Sequence, residues 1–187
     1  MPLMKGEWIM KKIYVYSILI IIALFFCVSS SYASETVKFL VVGPMTGDSA
    51  AQGIQLRQGA ELAVQEINAA GGLNGKKLVF EVADDTGNPN QATIVAQKFS
   101  LDKDILFICG PVNSSCAIAS LPIWEKTNVP MISPCNTAAN LTRLGHKNYF
   151  RIIVNDDIMS RQIVEVAIKT LGMKKPALVW ENSDYGK

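Results

Sequence analysis

The apolar positions of this chain fall into short, nearly continuous runs alternating with longer stretches of helical spacing. The first run is Thr36 to Val42, ending at Gly43-Pro44, and it is followed by a long polar loop, Met45 to Gln52. From Gly53 to Ala70, apolar residues recur at Ile54, Leu56, Ala60, Ala63, Val64 and Ile67, which predicts a helix with one buried face. Gly71-Gly72 should stop that helix, because glycine takes the left-handed position after a helix at little cost. Asn74-Gly75 predicts a tight turn into a second strand, Lys77 to Ala83. A helix from Asn90 or Pro89 to Leu101 follows, then a strand at Ile105 to Cys109. A helix at Ser114 to Lys126 comes next, bent or ended near Pro122, and then a strand at Met131 to Ser133. The pattern continues with a short helix near Ala138 to Leu144 and a fifth strand, Tyr149 to Val154. The last elements are a helix from Asp156 to Leu171 and a sixth strand, Ala177 to Glu181. Strands alternating with helices, the strands being near-continuous apolar runs, predict an α/β fold: a parallel sheet covered on both faces, in three αβα layers.

Composition changes this picture at the N-terminus. Lys11-Lys12 precede an apolar run from Ile13 to Val28, and Ser31 and Ala33 then occupy the −3 and −1 positions of a signal-peptidase site. Residues 1–33 are therefore expected to be a signal peptide cleaved near Ala33, with Met10 a more natural start than Met1. A retained membrane anchor and a lipoprotein built on Cys27 are the alternatives. The 187 residues are 49% apolar and 18% charged, with a formal net charge of +2. That excess lies in the leader, where Lys5, Lys11 and Lys12 outnumber Glu7, so the rest is balanced. No basic cluster marks a nucleic-acid surface.

Chemistry-bearing motifs are sparse. There is no Gly-x-Ser-x-Gly, no Gly-x-Gly-x-x-Gly and no complete phosphate loop, and Gly71 to Lys76 follows a helix where a phosphate loop would follow a strand. His146, the only histidine, reads as a loop side chain, and Asp84-Asp85 as a cap or Asx-turn pair before a metal site. No cofactor and no metal are expected. Export places Cys109, Cys116 and Cys135 in an oxidising compartment, where Cys116 and Cys135 are candidates for a bridge and Cys109 reads as a buried strand residue.

Binding chemistry fits better. The strands at 105–109 and 131–133 both run into polar loops. Ser114 would open a helix with its hydroxyl and neighbouring N–H groups, and Thr137 would do the same for the short helix. Unsatisfied N–H groups at a helix start suit a carboxylate. A carbonyl at Cys135 or Asn136 could receive an ammonium group. Asp48, Gln52, Asp84 and Tyr185 occupy other strand-end loops.

Several motifs then carry a family likeness. Gly43-Pro-Met-Thr-Gly-Asp-Ser-Ala-Ala-Gln-Gly, Gly59-Ala-Glu-Leu-Ala-Val-Gln-Glu-Ile-Asn-Ala-Ala-Gly-Gly-Leu-Asn-Gly-Lys-Lys-Leu, and Asp84-Asp85 with Asn88-Pro89 and Ala92 resemble the periplasmic leucine/isoleucine/valine-binding proteins of ABC importers. Ser133-Pro134 with Thr137 and Leu141-Thr142, and Asp184-Tyr185-Gly186, extend the resemblance over nearly all of the chain after the leader. It implies a type I periplasmic binding fold. On that reading residues 34–153 form a complete N-terminal lobe, and 154–187 form a crossing segment and the start of a truncated second lobe. It also implies that the loops at Asn113-Ser114-Ser115 and Cys135-Asn136-Thr137 hold an amino acid's carboxylate and ammonium, with Cys135 acting through its carbonyl. Tyr185 would face the ligand from the other lobe. Two positions depart from the family pattern. Gln52 stands where an aromatic residue is common, and Gly87 where some members carry a disulfide cysteine.

The expected function is an exported solute-binding protein, periplasmic or otherwise secreted and monomeric, which captures a branched-chain or related amino acid, or a similar small carboxylate or amide, between two lobes and delivers it to an inner-membrane ABC permease without chemistry. Two other readings are an extracellular sensing domain of a receptor and a secreted hydrolase with Ser114 or Cys116 as nucleophile.

Overall fold

The computed structural model describes residues 16–18 and 36–186. Residues 16–18 are helical, and the rest of the expected leader, with its cleavage point, lies outside the described residues. Residues 36–187 form one unit. Its elements are β1 (Thr36–Gly43), α1 (Ala50–Ala69), β2 (Lys77–Asp84), α2 (Pro89–Phe99), β3 (Ile105–Cys109), α3 (Ser114–Lys126), β4 (Met131–Ser133), a 3₁₀ turn (Ala139–Thr142), β5 (Tyr149–Arg151) and α4 (Asp156–Glu165), which runs into a π-helical turn (Val166–Thr170).

The strands form one parallel sheet in the order β2-β1-β3-β4-β5. Alternation along β1 separates its two faces. Val37, Phe39 and Val41 pack with Leu56, Ala60, Val64 and Ile67 of α1, whereas Leu40 and Val42 join Val95 and Ala96 of α2 and Ala117, Leu121 and Trp124 of α3. The three layers expected from the pattern are therefore present, with α1 on one face and α2 and α3 on the other. Phe39 stacks on Phe107 at 4.6 Å between ring centroids, which ties β1 to β3 beneath α1.

The turn chemistry also follows the sequence. Gly71 and Gly72 have φ of 104° and 79°, and the Gly72 N–H closes on the Ile67 carbonyl at 2.9 Å. Asn74 and Gly75, at φ 54° and 80°, form the tight turn that brings Leu73 opposite Lys76. The first helix starts earlier than its apolar spacing indicates, at Ala50, and it is Gly53, not Ile54, that is buried on it.

α3 covers the expected Ser114–Lys126, and Pro122 does not end it. Leu121 and Trp124, 0% and 1% exposed, anchor its last turn in the core and offset the roughly 3 kcal/mol that an interior proline costs. β5 stops at Arg151 because β4 offers only three residues to pair with: Met131 faces Tyr149, Ile132 faces Phe150 and Ser133 faces Arg151. The sixth strand at 177–181 does not form; no neighbouring strand supplies a ladder, and Leu178 and Val179 are 87% and 96% exposed. The helix from Asp156 forms, but its apolar residues Ile158, Ile163 and Val166 are exposed, since no described element covers that face.

Candidate functional site

In an open parallel sheet of order 2-1-3-4-5, the connections leave β1 and β3 in opposite directions, and a crevice opens beyond the carboxyl ends of these strands. A cleft of about 830 Å³ lies there. The start of α1 forms one wall, through Ser49, Gln52, Gln55 and Leu56. The loop after β3, from Val112 to Ser115, and the loop after β4, from Pro134 through Cys135 to Thr137, form the other. Glu181 and Tyr185 also reach it.

Close backbone approach sets the first wall. A Cβ on Gly53 would stand 2.0 Å from the Pro44 carbonyl oxygen, so only glycine lets α1 settle onto the end of β1. Asp84 holds the intervening loop. Its Oδ1 accepts from the Met45 and Thr86 N–H groups, each at 2.8 Å, and its Oδ2 from the Thr46 hydroxyl at 2.6 Å. Burial works against its charge, but these bonds prevail and hold the carboxyl below its ordinary value. Asp85 differs. It is fully buried, its Oδ1 takes one bond from the Gly87 N–H at 2.9 Å, and its Oδ2 has no partner. Burial, aided by the neighbouring Asp84 charge, pushes it up to about 6. The pair thus makes turns, as the sequence suggested, while the cap of α2 comes from Asn88, whose Oδ1 accepts from the Asn90 and Gln91 N–H groups.

Gly110 carries the chain over the top of the sheet at φ 113°, where a Cβ would meet the Val42 carbonyl oxygen at 2.0 Å. α3 then begins with Asn113 as its N-cap, which makes no side-chain capping bond. The first intrahelical bond runs from the Ala117 N–H to the Asn113 carbonyl, so the N–H groups of Ser114, Ser115 and Cys116 precede it and have no helical partner. Ser114 is therefore the first helical residue, as expected. It is 5% exposed, and its Oγ accepts from the Ala138 N–H at 3.4 Å. Thr137 does not open the short helix, because the 3₁₀ turn begins at Ala139 with Ala138 as its N-cap. Its Oγ1 donates to the Tyr185 hydroxyl at 3.4 Å, and its carbonyl accepts from Asp156 N–H at 2.9 Å.

Ser133 and Asn136 fix the second loop. Ser133 Oγ accepts from the Cys135 and Asn136 N–H groups at 3.2 and 2.9 Å. Arg151 braces the same loop from β5, donating to the Asn136 and Ala138 carbonyls and to Thr142 Oγ1.

Of the residues singled out from sequence, Gln52, Ser114, Ser115, Cys135, Thr137 and Tyr185 come together on the cleft. Asn136 does not. It is fully buried below the cleft, and its carboxamide is spent on loop carbonyls. Asp48 and Asp84 stay outside the lining, and His146 pairs with Glu125 at 2.5 Å, also outside it. The candidate Cys116–Cys135 bridge is not made: all three described cysteines are free, Cys116 being buried and Cys135 exposed. Burial pushes the Cys116 thiol up to about 12, a poor nucleophile, and Cys116 does not line the cleft. Cys109, read as an ordinary strand residue, does line it. Sequence reasoning missed Ser49, Gln55 and Glu181, while Asn113, expected in the ligand-holding loop, does line the cleft; the spacing of Ser49, Gln52 and Gln55, three residues apart, was the available signal for the α1 wall.

A strand-end cleft between an uncapped helix start and a polar loop, in a three-layer parallel sheet, defines a small-molecule-binding lobe. The chain belongs to the periplasmic binding protein family, whose profile matches residues 36–187, and its fold is that of the type I members. It is 38% identical over 147 residues to the Leu/Ile/Val-binding protein BraC3 of Rhizobium johnstonii, covering 79% of this chain and 40% of that one. It is 35% identical over 159 residues to Leu/Ile/Val-binding protein homolog 3 of Brucella melitensis, covering 85% and 42%. Among solved structures, it resembles the ABC transporter substrate-binding protein of Desulfitobacterium hafniense in complex with Leu, with a TM-score of 0.70, 30% identity, and coverage of 81% of this chain and 44% of that one. The isoleucine complex of a Streptococcus pneumoniae branched-chain amino acid transporter substrate-binding protein also gives a TM-score of 0.70 and 30% identity, over 74% and 39%. The chain spans about 40% of the length of the curated relatives it matches.

Proposed function

We propose that this chain contributes the first ligand-binding lobe of an exported solute-binding protein, which captures an amino acid or a similar small carboxylate or amide for an ABC importer. The observation that carries the reading is the cleft itself. The N–H groups at the start of α3, with Ser114 and Ser115, stand beside the Cys135–Thr137 loop on one wall of an opening at the β1/β3 switch point. A ligand carboxylate would take the α3 N–H groups, favoured by the helix dipole. The Cys135 carbonyl and the Thr137 hydroxyl would meet the ammonium side. Residues 34–153 would form this lobe, and 154–187 the crossing segment and the start of a second lobe, with Tyr185 facing the ligand from that side. Residues 1–33 would direct export to the periplasm and be removed near Ala33. The protein would act as a monomer, hand its cargo to an inner-membrane permease, and carry out no covalent step. Names of relatives that bind leucine, isoleucine and valine support the ligand class.

A thermal-shift panel of amino acids, amides and small acids on the complete mature protein tests this, because a ligand that binds the native state raises its stability by mass action. At least one amino acid should raise Tm, and Ser115→Ala and Thr137→Ala should each weaken its binding about tenfold, the worth of one hydrogen bond of about 1.4 kcal/mol. A panel in which no compound stabilises the protein removes the amino-acid reading. Unchanged affinity in both variants removes the site assignment.

A further inference from the structure

We infer that the ligand of this cleft carries an uncharged, hydrogen-bonding side chain, such as an amide or hydroxyl, in preference to a purely aliphatic one. The inference rests on the proposed capture of an amino acid and concerns what lies beyond its backbone groups. The α1 wall presents Ser49, Gln52 and Gln55, one helical turn apart along a single edge. Ser49 occupies the N-cap position of α1 yet makes no capping bond, so its hydroxyl is not spent on its own helix. Gln52 and Gln55 are exposed, and neither carboxamide is bonded to another described residue. Leu56, Ala60 and Ala63, further along the same helix, offer room for an aliphatic stem. Among the described residues, Glu181 is the one charged side chain in the lining, and its charge would repel a second carboxylate on the ligand.

In the cleft both glutamines are exposed to solvent. A bound aliphatic side chain that covered them would displace water and return nothing, which leaves buried donors and acceptors unpaired. A bound amide or hydroxyl returns the bonds. A site built to hydrogen-bond its ligand rejects the analogue lacking the group far more strongly than an apolar pocket rejects an extra one.

Matched pairs of near-equal size isolate the effect: threonine against valine, and asparagine against leucine, titrated calorimetrically into the complete mature protein. Each polar member should bind at least about tenfold more tightly than its aliphatic partner. In Gln52→Leu/Gln55→Leu, placed on an exposed helix face where folding is undisturbed, that ratio should fall below one. Valine and leucine binding as tightly as threonine and asparagine, or a ratio unchanged in the double variant, overturns the inference while leaving amino-acid capture intact. Failure of all four to bind, together with the rest of the amino-acid panel, overturns the parent reading and this one with it.

Discussion

The Asn136 carboxamide donates a hydrogen bond of 2.7 Å to the Val112 carbonyl, and a second, of 3.0 Å, to the carbonyl of Pro111. These two bonds lash the loop after β4 to the loop after β3, so the two sides of the polar wall keep a fixed spacing. Tyr149 OH completes the set by donating to Asn136 Oδ1 at 3.4 Å. Asn136 thus shapes the cleft without lining it.

Asn136→Ala should lower stability by about 1–3 kcal/mol, since it leaves the buried Val112 carbonyl without its donor and the Pro111 carbonyl with the Ser133 hydroxyl alone. It should also weaken ligand binding although Asn136 does not line the cleft. Asn136→Asp should be worse, because it sets an acceptor against two acceptors. Urea unfolding together with a binding titration reads both effects.

Asp85 should impose a pH dependence opposite to that of the surrounding carboxylates. Its folded value of about 6 lies above the ordinary value near 4, so the native state holds its proton longer than the unfolded chain does. Its contribution is neutral below about pH 4 and grows unfavourable as pH rises through 6, reaching about 2–3 kcal/mol at neutral pH. Asp84, held low, contributes in the other direction, and its stabilisation is lost as pH falls. Asp85→Asn should therefore be more stable than the parent at pH 7.5, with the advantage gone at pH 4. Denaturation midpoints of the two proteins across that range give the difference directly.

Two glycines of α1 should respond in opposite senses to alanine. At Gly53 a Cβ meets the backbone of Pro44 at 2.0 Å, so Gly53→Ala must push α1 off the end of β1 and should cost about 1–3 kcal/mol. At Gly59 nothing stands within 4 Å, so Gly59→Ala should gain about 0.5–1 kcal/mol from helix propensity alone. Thermal unfolding of the pair separates close approach from propensity on one helix.

The three described thiols should react in order of exposure. Burial raises Cys135 above its ordinary value, and burial with Cys135 nearby pushes Cys109 up to about 11. At pH 8 Cys109 would then be about one part in a thousand thiolate. Iodoacetamide should label exposed Cys135 first and Cys109 slowly, and reach Cys116 only after unfolding. Bound ligand should protect Cys135. Peptide mass spectra over time check the order.

Much of this molecule is local in origin. The run Phe39-Leu-Val-Val42, the glycines at 71 and 72, the Asn74-Gly75 turn and the polar loops at 113–115 and 135–137 reveal strands, stops and strand-end loops, because backbone sterics and burial on both sheet faces act on neighbouring residues. Ser114, Cys135 and Thr137 could be placed on one site for the same reason: parallel strands bring their carboxyl ends to one edge. What the sequence left open depends on residues distant along the chain. The fate of Asn136 turned on carbonyls more than twenty residues away. The clasp of Arg151 on the 136–142 loop, and the lack of a strand at 177–181, likewise followed from which partners stood within reach. A polar side chain near a strand end looks the same in sequence whether it faces a ligand or braces a loop; only the packed sheet decides, by setting which donors and acceptors water can still reach.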